Sequence, residues 1–163
     1  KILHYSPYMS SLVLFGIFVY FTGNLEIQMK IAQLAMQSII NIIMSNILKK
    51  IFRQPRPLSS EYGFPSAHSM FWSGFSLQYY MLFTIDKIFF TLVCLTVFVC
   101  FQRLHSKYHT FDQVLYGIIF GSIVSLTWSF ICIKSNFSLV KLALEVYLKF
   151  EALVKDFAEQ GNK

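Results

Sequence analysis

The sequence predicts an all-α, integral membrane helical bundle, with about five transmembrane helices and an amphipathic helix near the C-terminal end. Three observations carry this expectation. Of the 163 residues, 55% are hydrophobic and only 13% charged, whereas ordinary soluble domains are roughly a quarter charged. The charges are also confined: residues 2–25, 31–48, 62–85, 88–102 and 113–133 hold no Lys, Arg, Asp or Glu. A membrane-spanning helix needs about 17–25 mostly apolar residues. Four of those windows reach 18 or more, and 88–102 falls slightly short.

Helices are therefore expected near 8–24, 31–48, 67–85, 88–103 and 113–133. The link after the first, "GNLEIQMK", reads as a turn with a few charges. In the second segment Gln33, Gln37, Asn41 and Ser45 recur every four residues and lead to Lys49. Such a row faces protein or a wet cavity. Interhelical hydrogen bonding and a cavity lining are both open readings. Pro55, Pro57, Gly63 and Pro65 break the chain into a long loop over 49–66. Only "DK" at 86–87 separates the third and fourth segments, and the fourth ends in "RLHSKYHTFD" at 103–112. In the fifth, Gly117, Gly121, Ser125 and Ser129 form a small-residue packing face. Residues 1–137 are thus expected to form the membrane-embedded domain.

Residues 138–163 are expected to form a separate interfacial helix. Leu139, Ala143, Val146, Phe150, Leu153 and Phe157 fall on one face, Glu145/Lys149 and Glu151/Lys155 pair at i,i+4, and Gly161 is a plausible stop. The chain begins at Lys1, not Met, so a fragment or processed form is expected and a targeting segment would lie outside it. Net charge is +6, but the cations sit at the ends of apolar runs, a pattern that excludes a nucleic-acid interface. Cys94, Cys100 and Cys132 lie within apolar segments without metal-ligand spacing and read as packing residues.

Counting passes puts loops 49–66 and 103–112 on the same side of the membrane. That side gathers Lys49, Lys50, Arg53, Arg56, His68, Arg103 and His109. Boundary cations commonly anchor lipid headgroups, which suits Lys50 and Arg53. Arginine forks match phosphate oxygens, and lysine adds a point charge. Ser66 and the N–H groups of 66–68 would stand at a helix N-terminus, which favours an anion. A cationic cradle with two imidazoles suits phosphoryl transfer, whose transition state spreads negative charge over oxygen. Without a carboxylate cluster for Mg²⁺, the cations are expected to do the work of a metal, and no metal or cofactor is expected.

The spacing has a family likeness. Lys49, six residues, then Arg56-Pro57; Pro65-Ser66-Ala67-His68; and Arg103, five residues, then His109 form three blocks in order. This resembles the type 2 phosphatidic acid phosphatase family, related to the vanadium haloperoxidases. "YGFPSAHS" and "YHTFDQVLYG" look like its dolichyl-diphosphate phosphatase branch. The likeness covers roughly 1–133 and is specific from 49 to 121. It implies His109 as nucleophile, forming a phosphohistidine, and His68 as acid for the leaving group and then base for water. It further implies that Lys49, Arg56, Arg103, Ser66 and the N–H of Ala67 hold the transferring phosphoryl group.

Departures bear on those roles. Gln102 stands where the wider family has Ser, Ala67 where Gly is frequent, and Gln113 where Asp orients the nucleophile. A Gln accepts the same hydrogen bond but brings no charge, and the dolichyl branch characteristically carries it. Asp112 is the rival orienter. His105 reads as a loop residue, His4 has no assigned role, and Tyr62 and Tyr108 read as interfacial aromatics. The resemblance implies metal-independent removal of the terminal phosphate from dolichyl (polyprenyl) diphosphate. It places the enzyme in the endoplasmic reticulum membrane with a luminal site, recycling the carrier for protein N-glycosylation. Its expected partners are the lipid substrate and membrane lipids. Alternatives are a phosphatidate-type monophosphatase, or a non-catalytic scaffold motivated by Gln102 and Gln113. Cations on the two sides balance, so charge does not orient the chain.

Overall fold

The computed structural model describes residues 24–135 and five helical positions beyond them, Leu142, Glu145, Val146, Lys149 and Ala152. The expected helix at 8–24 lies outside the described residues except for Asn24, and the expected tail helix does so except for those five. The order is α1 (Leu25–Phe52), β1 (Pro55–Arg56), β2 (Ser59–Tyr62), α2 (Ala67–Leu82), α3 (Lys87–His105) and α4 (Phe111–Lys134).

The stretch expected to be a turn after the first segment is the start of α1. Asn24 caps the helix, its side chain accepting from the N–H of Ile27 at 3.1 Å, and Glu26 pairs with Lys30 one turn on. These polar residues satisfy the first turn's unpaired donors and its dipole, so they begin a helix where charge alone suggested a break. α1 ends where Arg53 turns left-handed at φ 51° and its N–H returns to the carbonyl of Lys49 at 3.0 Å.

Loop 49–66 is more ordered than the all-α expectation allowed. Pro55 and Pro57 bar a helix, and the chain doubles back so that β1 pairs antiparallel with β2, Pro55 opposite Tyr62 and Arg56 opposite Ser59. The N–H of Gly63 closes the hairpin onto the carbonyl of Gln54 at 2.7 Å.

The described helices differ in length. Among the described residues, α1, α3 and α4 are long and apolar enough to cross a membrane. The segment expected over 67–85 stops at Leu82 after 16 residues, about 24 Å of helix at 1.5 Å per residue, short of the ~30 Å hydrocarbon core. It is apolar because it is buried: α2 packs against α4, α1 and α3. Phe71, Trp72, Phe75 and Tyr79 of α2 meet Ile31 and Leu34 of α1 and Leu92 and Val99 of α3. The turn out of α2 is held by the Tyr79 hydroxyl donating to Asp86 at 2.8 Å, while Asp86 caps α3 through the N–H of Phe89 at 2.8 Å.

The two polar rows both face inward. Gln33, Gln37, Asn41 and Ser45 are buried. A Cβ on Gly74 of α2 would come within 2.5 Å of Asn41 Nδ2 and 2.6 Å of Gln37 Nε2. Neither amide has a hydrogen-bond partner among the described residues, and the missing side chain of Gly74 gives both room against α2. Gly117 lets α4 approach the first turn of α2, since a Cβ there would stand 2.7 Å from the carbonyl oxygen of Ser66. That approach brings Ser66 beside Gln113.

Candidate active site

The 106–110 segment is short and pinned at both ends. Arg103, in the last turn of α3, offers its carbonyl to the N–H of Tyr108 at 3.1 Å and of His109 at 3.3 Å. Lys107 takes the left-handed conformation, φ 52°, that turns the chain back. Thr110 then caps α4 in a capping box. Its hydroxyl accepts from the N–H of Gln113 at 3.3 Å, and Gln113 Oε1 accepts from the N–H of Thr110 at 3.4 Å. The sequence "HTFDQ" thus builds the helix start and aims Gln113 back at His109. Asp112 is exposed.

Gln113 is the hub. It is 0% exposed and His109 only 5%. Its Oε1 lies 2.9 Å from His109 Nδ1, its Nε2 donates to the carbonyl of Pro55 at 2.9 Å, and its own carbonyl accepts from the N–H of Ser66 at 2.8 Å. One residue therefore ties together the segments carrying Arg56, His68 and His109. The two amide contacts also fix the imidazole tautomer. A carbonyl only accepts, so the amide nitrogen faces Pro55; a backbone N–H only donates, so the amide oxygen faces Thr110. That oxygen is the group beside His109, so Nδ1 carries the proton and Nε2 keeps its lone pair. Burial holds the imidazole at about 4, well below its ordinary range; the bond to Gln113 opposes this, and the charges of Arg56, Lys49 and Arg103 push it further down. His109 is neutral at pH 7.

The cations frame that imidazole. Arg56 Nη1 pairs with Glu61 of β2 at 3.1 Å, while its buried Nε has no hydrogen-bond partner among the described residues. Arg103 is buried, with its guanidinium carbon 5.5 Å from the centre of the Tyr108 ring. Lys49 lies in the last turn of α1. Ser66 is buried as the cap of α2; its hydroxyl accepts from the Ser69 hydroxyl at 3.0 Å and, at 3.5 Å, from the N–H of Ser69. Ala67 and His68 open α2, and both are partly buried. Lys50 and Arg53 are exposed at the end of α1. Tyr62 and Tyr108 are exposed too, and His105 stacks on Phe101 with centroids 5.8 Å apart. Among the described residues no three His, Cys, Asp or Glu side chains gather as metal ligands.

Three participants escaped the sequence reading. Glu61 reaches Arg56 only because the hairpin folds back, and the Pro55 carbonyl is a backbone acceptor with no side-chain signature. Gly63 matters by what it lacks: a Cβ there would lie 2.7 Å from both Arg56 Cγ and Gln113 Oε1. Its spacing next to "FPSAH" was visible, but its purpose was not.

Comparison with known proteins identifies the family. The PAP2 superfamily pattern matches residues 30–137. A dolichyldiphosphatase of Saccharomyces cerevisiae is 35% identical over 119 residues, which is 60% of this chain and 49% of the relative. Human dolichyldiphosphatase 1 is 29% identical over 106 residues, 50% of this chain and 44% of that protein. The chloroplastic lipid phosphate phosphatase epsilon 2 of Arabidopsis thaliana is 28% identical over 136 residues, 74% of this chain and 48% of its own length. The chain spans about half the length of the curated relatives it matches. No solved structure matches it. The three motif blocks gathered by Gln113 lie inside the matched region, and the chain belongs to the PAP2 superfamily, with dolichyldiphosphatases among its relatives.

Proposed function

We propose that the chain carries the catalytic site of a metal-independent phosphatase that hydrolyses the terminal phosphate of dolichyl (polyprenyl) diphosphate. The observation behind this reading is the His109–Gln113 pair: a buried neutral imidazole of fixed tautomer, under the influence of three cations. His109 Nε2 attacks the terminal phosphorus, and the anhydride P–O bond breaks. His68 protonates the leaving lipid monophosphate. The resulting phosphohistidine is attacked by water as His68 takes a proton, releasing inorganic phosphate and freeing the imidazole. Lys49, Arg56, Arg103, Ser66 and the N–H of Ala67 bind the phosphoryl oxygens, whose growing charge the cations offset.

Gln113 is compatible with this substrate. A phosphate monoester leaves more readily than an alkoxide, so less help is required from the acid–base machinery. The membrane helices and the names of the relatives support an integral membrane enzyme acting on a dolichyl diphosphate; its place in the endoplasmic reticulum, a luminal site and the recycling of the glycosylation carrier are what the family resemblance implies. A second reading, a lipid monophosphate substrate, is favoured by the Arabidopsis relative, which aligns over more of this chain.

The test is a panel of dolichyl diphosphate, phosphatidate and a soluble phosphate ester offered to the purified protein. Dolichyl diphosphate is expected to have the highest kcat/KM, with His109→Ala removing all turnover and ³²P from the terminal position trapped on the wild-type chain by acid-free quenching. Preference for phosphatidate would transfer the substrate assignment to the second reading. Full activity in His109→Ala would end the proposed mechanism.

A further inference from the structure

One cluster near the site is not used by the chemistry above. Phe52, Phe64, Tyr116 and Phe120 form a continuous aromatic wall. Phe52 meets Phe64 with centroids 4.8 Å apart, Phe64 meets Tyr116 at 5.1 Å, Tyr116 meets Phe120 at 6.2 Å, and Phe52 meets Phe120 at 6.4 Å. We infer that this wall is the subsite for the first isoprene units of the lipid, so that the substrate's tail leaves the phosphate cradle along the seam between the ends of α1 and α4. The inference rests on the phosphatase reading and adds to it the path of the tail.

Position is the first argument. Each ring belongs to a segment that also carries a site residue. Phe52 follows Lys49 on α1, Phe64 sits between Gly63 and the Pro65-Ser66 pair, and Tyr116 stands one turn beyond Gln113 on α4. From Gln113 to Phe120 the wall descends about 10 Å along α4 at 1.5 Å per residue, away from the helix start that bears the site. A lipid whose diphosphate lies against Arg56 and His109 meets this surface first on leaving the polar pocket.

Exposure and chemistry are the second. Phe52 is 50% exposed and Tyr116 44%, whereas Phe64, at the top of the wall, is 9% exposed. Phe64 is therefore built into the protein, Phe52 and Tyr116 beside it are open, and Phe120 at the far end is half-buried. Below Tyr116 on the same helix, Ile119 and Ile123 are also exposed. No charged residue interrupts α4 between Asp112 and Lys134. The aromatic surface at the end of α3 differs. There exposed Phe101 stacks on His105, and exposed Lys107 stands beside Tyr108, which suits headgroups better than a hydrocarbon chain. Flat rings one helical turn apart also suit a chain with a planar double bond in every unit better than a saturated acyl chain.

The test uses the wild-type protein in phosphatidylcholine vesicles and a farnesyl analogue with a non-hydrolysable methylene-bridged diphosphonate and a photoreactive diazirine on its second isoprene unit. Labelling is expected on peptides containing Phe52, Phe64, Tyr116 or Phe120, and excess unlabelled polyprenyl diphosphate should suppress it. Labelling on Phe101–Tyr108, or labelling that survives the competitor, overturns the inference and leaves the wall facing ordinary bilayer lipid. A kinetic arm compares kcat/KM for a long-chain polyprenyl diphosphate with that for geranyl diphosphate. Phe120→Ala is expected to lower this ratio by about tenfold, and Phe101→Ala to lower it much less. Equal loss in both variants counts against the path. A protein that turns over neither diphosphate but is labelled competitively at the wall would retain the tail subsite and lose the phosphatase reading.

Discussion

Replacing Gln113 by Ala tests the hub of the site. It removes the acceptor for the His109 Nδ1 proton at 2.9 Å and the donor to the Pro55 carbonyl at 2.9 Å. The His109 ring is left unpaired in a buried place, where such a loss costs about 1–3 kcal/mol, whereas Pro55 is exposed and its carbonyl can turn to solvent. Only part of that falls on the chemical step, because the His109 main chain stays tied through its N–H to the Arg103 carbonyl and only the ring loses its orienting partner. A loss of about 1.4–2.8 kcal/mol of transition-state stabilisation predicts a fall in kcat of about 10–100-fold, against complete loss in His109→Ala. Stopped assays of phosphate release, with folding checked by thermal unfolding in detergent, measure both. Gln113→Glu separates the two halves of the amide. Its carboxylate still accepts from Nδ1–H but opposes the Pro55 carbonyl, and its charge raises the imidazole pKa. Rescue by Glu assigns the effect to the ring, whereas a Glu variant as poor as Ala assigns it to the Pro55 tether. Activity of Gln113→Ala within twofold of wild type, or as low as that of His109→Ala, would refute the reasoning.

The depressed imidazole has a pH signature. The neutral form is the nucleophile, so kcat/KM should hold from pH 7 down and lose its acid limb near pH 4; a limb at the ordinary histidine value would contradict the burial argument. Gly63→Ala pushes a methyl into Arg56 Cγ and Gln113 Oε1. It should lower kcat, and in a double-mutant cycle with Gln113→Ala the two losses should fall short of their sum; full additivity counts against a shared cause. Vanadate, which mimics a pentacoordinate phosphoryl group, should inhibit competitively, while EDTA leaves turnover unchanged. Inactivation by EDTA reversed by Mg²⁺ would replace the cation cradle with a metal site.

The candidate site residues were legible because their chemistry is local in sequence. Lys49, Arg56, His68, Arg103 and His109 declare their types and spacing. Thr110 and Gln113 follow the capping-box pattern that turns Gln113 back toward His109. Long charge-free runs also marked the apolar helices, since a bilayer tolerates little else. One expectation failed because polar and charged residues have more than one meaning: Asn24 and Glu26 start α1 instead of forming a turn. The apolar run of α2 packs against three other helices.

The sequence by itself determined the membrane character, the inventory of cations and imidazoles, and the order of the motif blocks. These depend on residue type and on neighbours a few positions away. Tertiary structure decided which contacts those groups make: the hairpin that brings Glu61 to Arg56, the Pro55 and Ser66 groups that meet Gln113, and hence the proton on Nδ1. Backbone carbonyls and N–H groups are the same in every residue apart from proline's missing donor. Their pairing across 58 positions of chain is set by how helices pack, and no side-chain pattern records it.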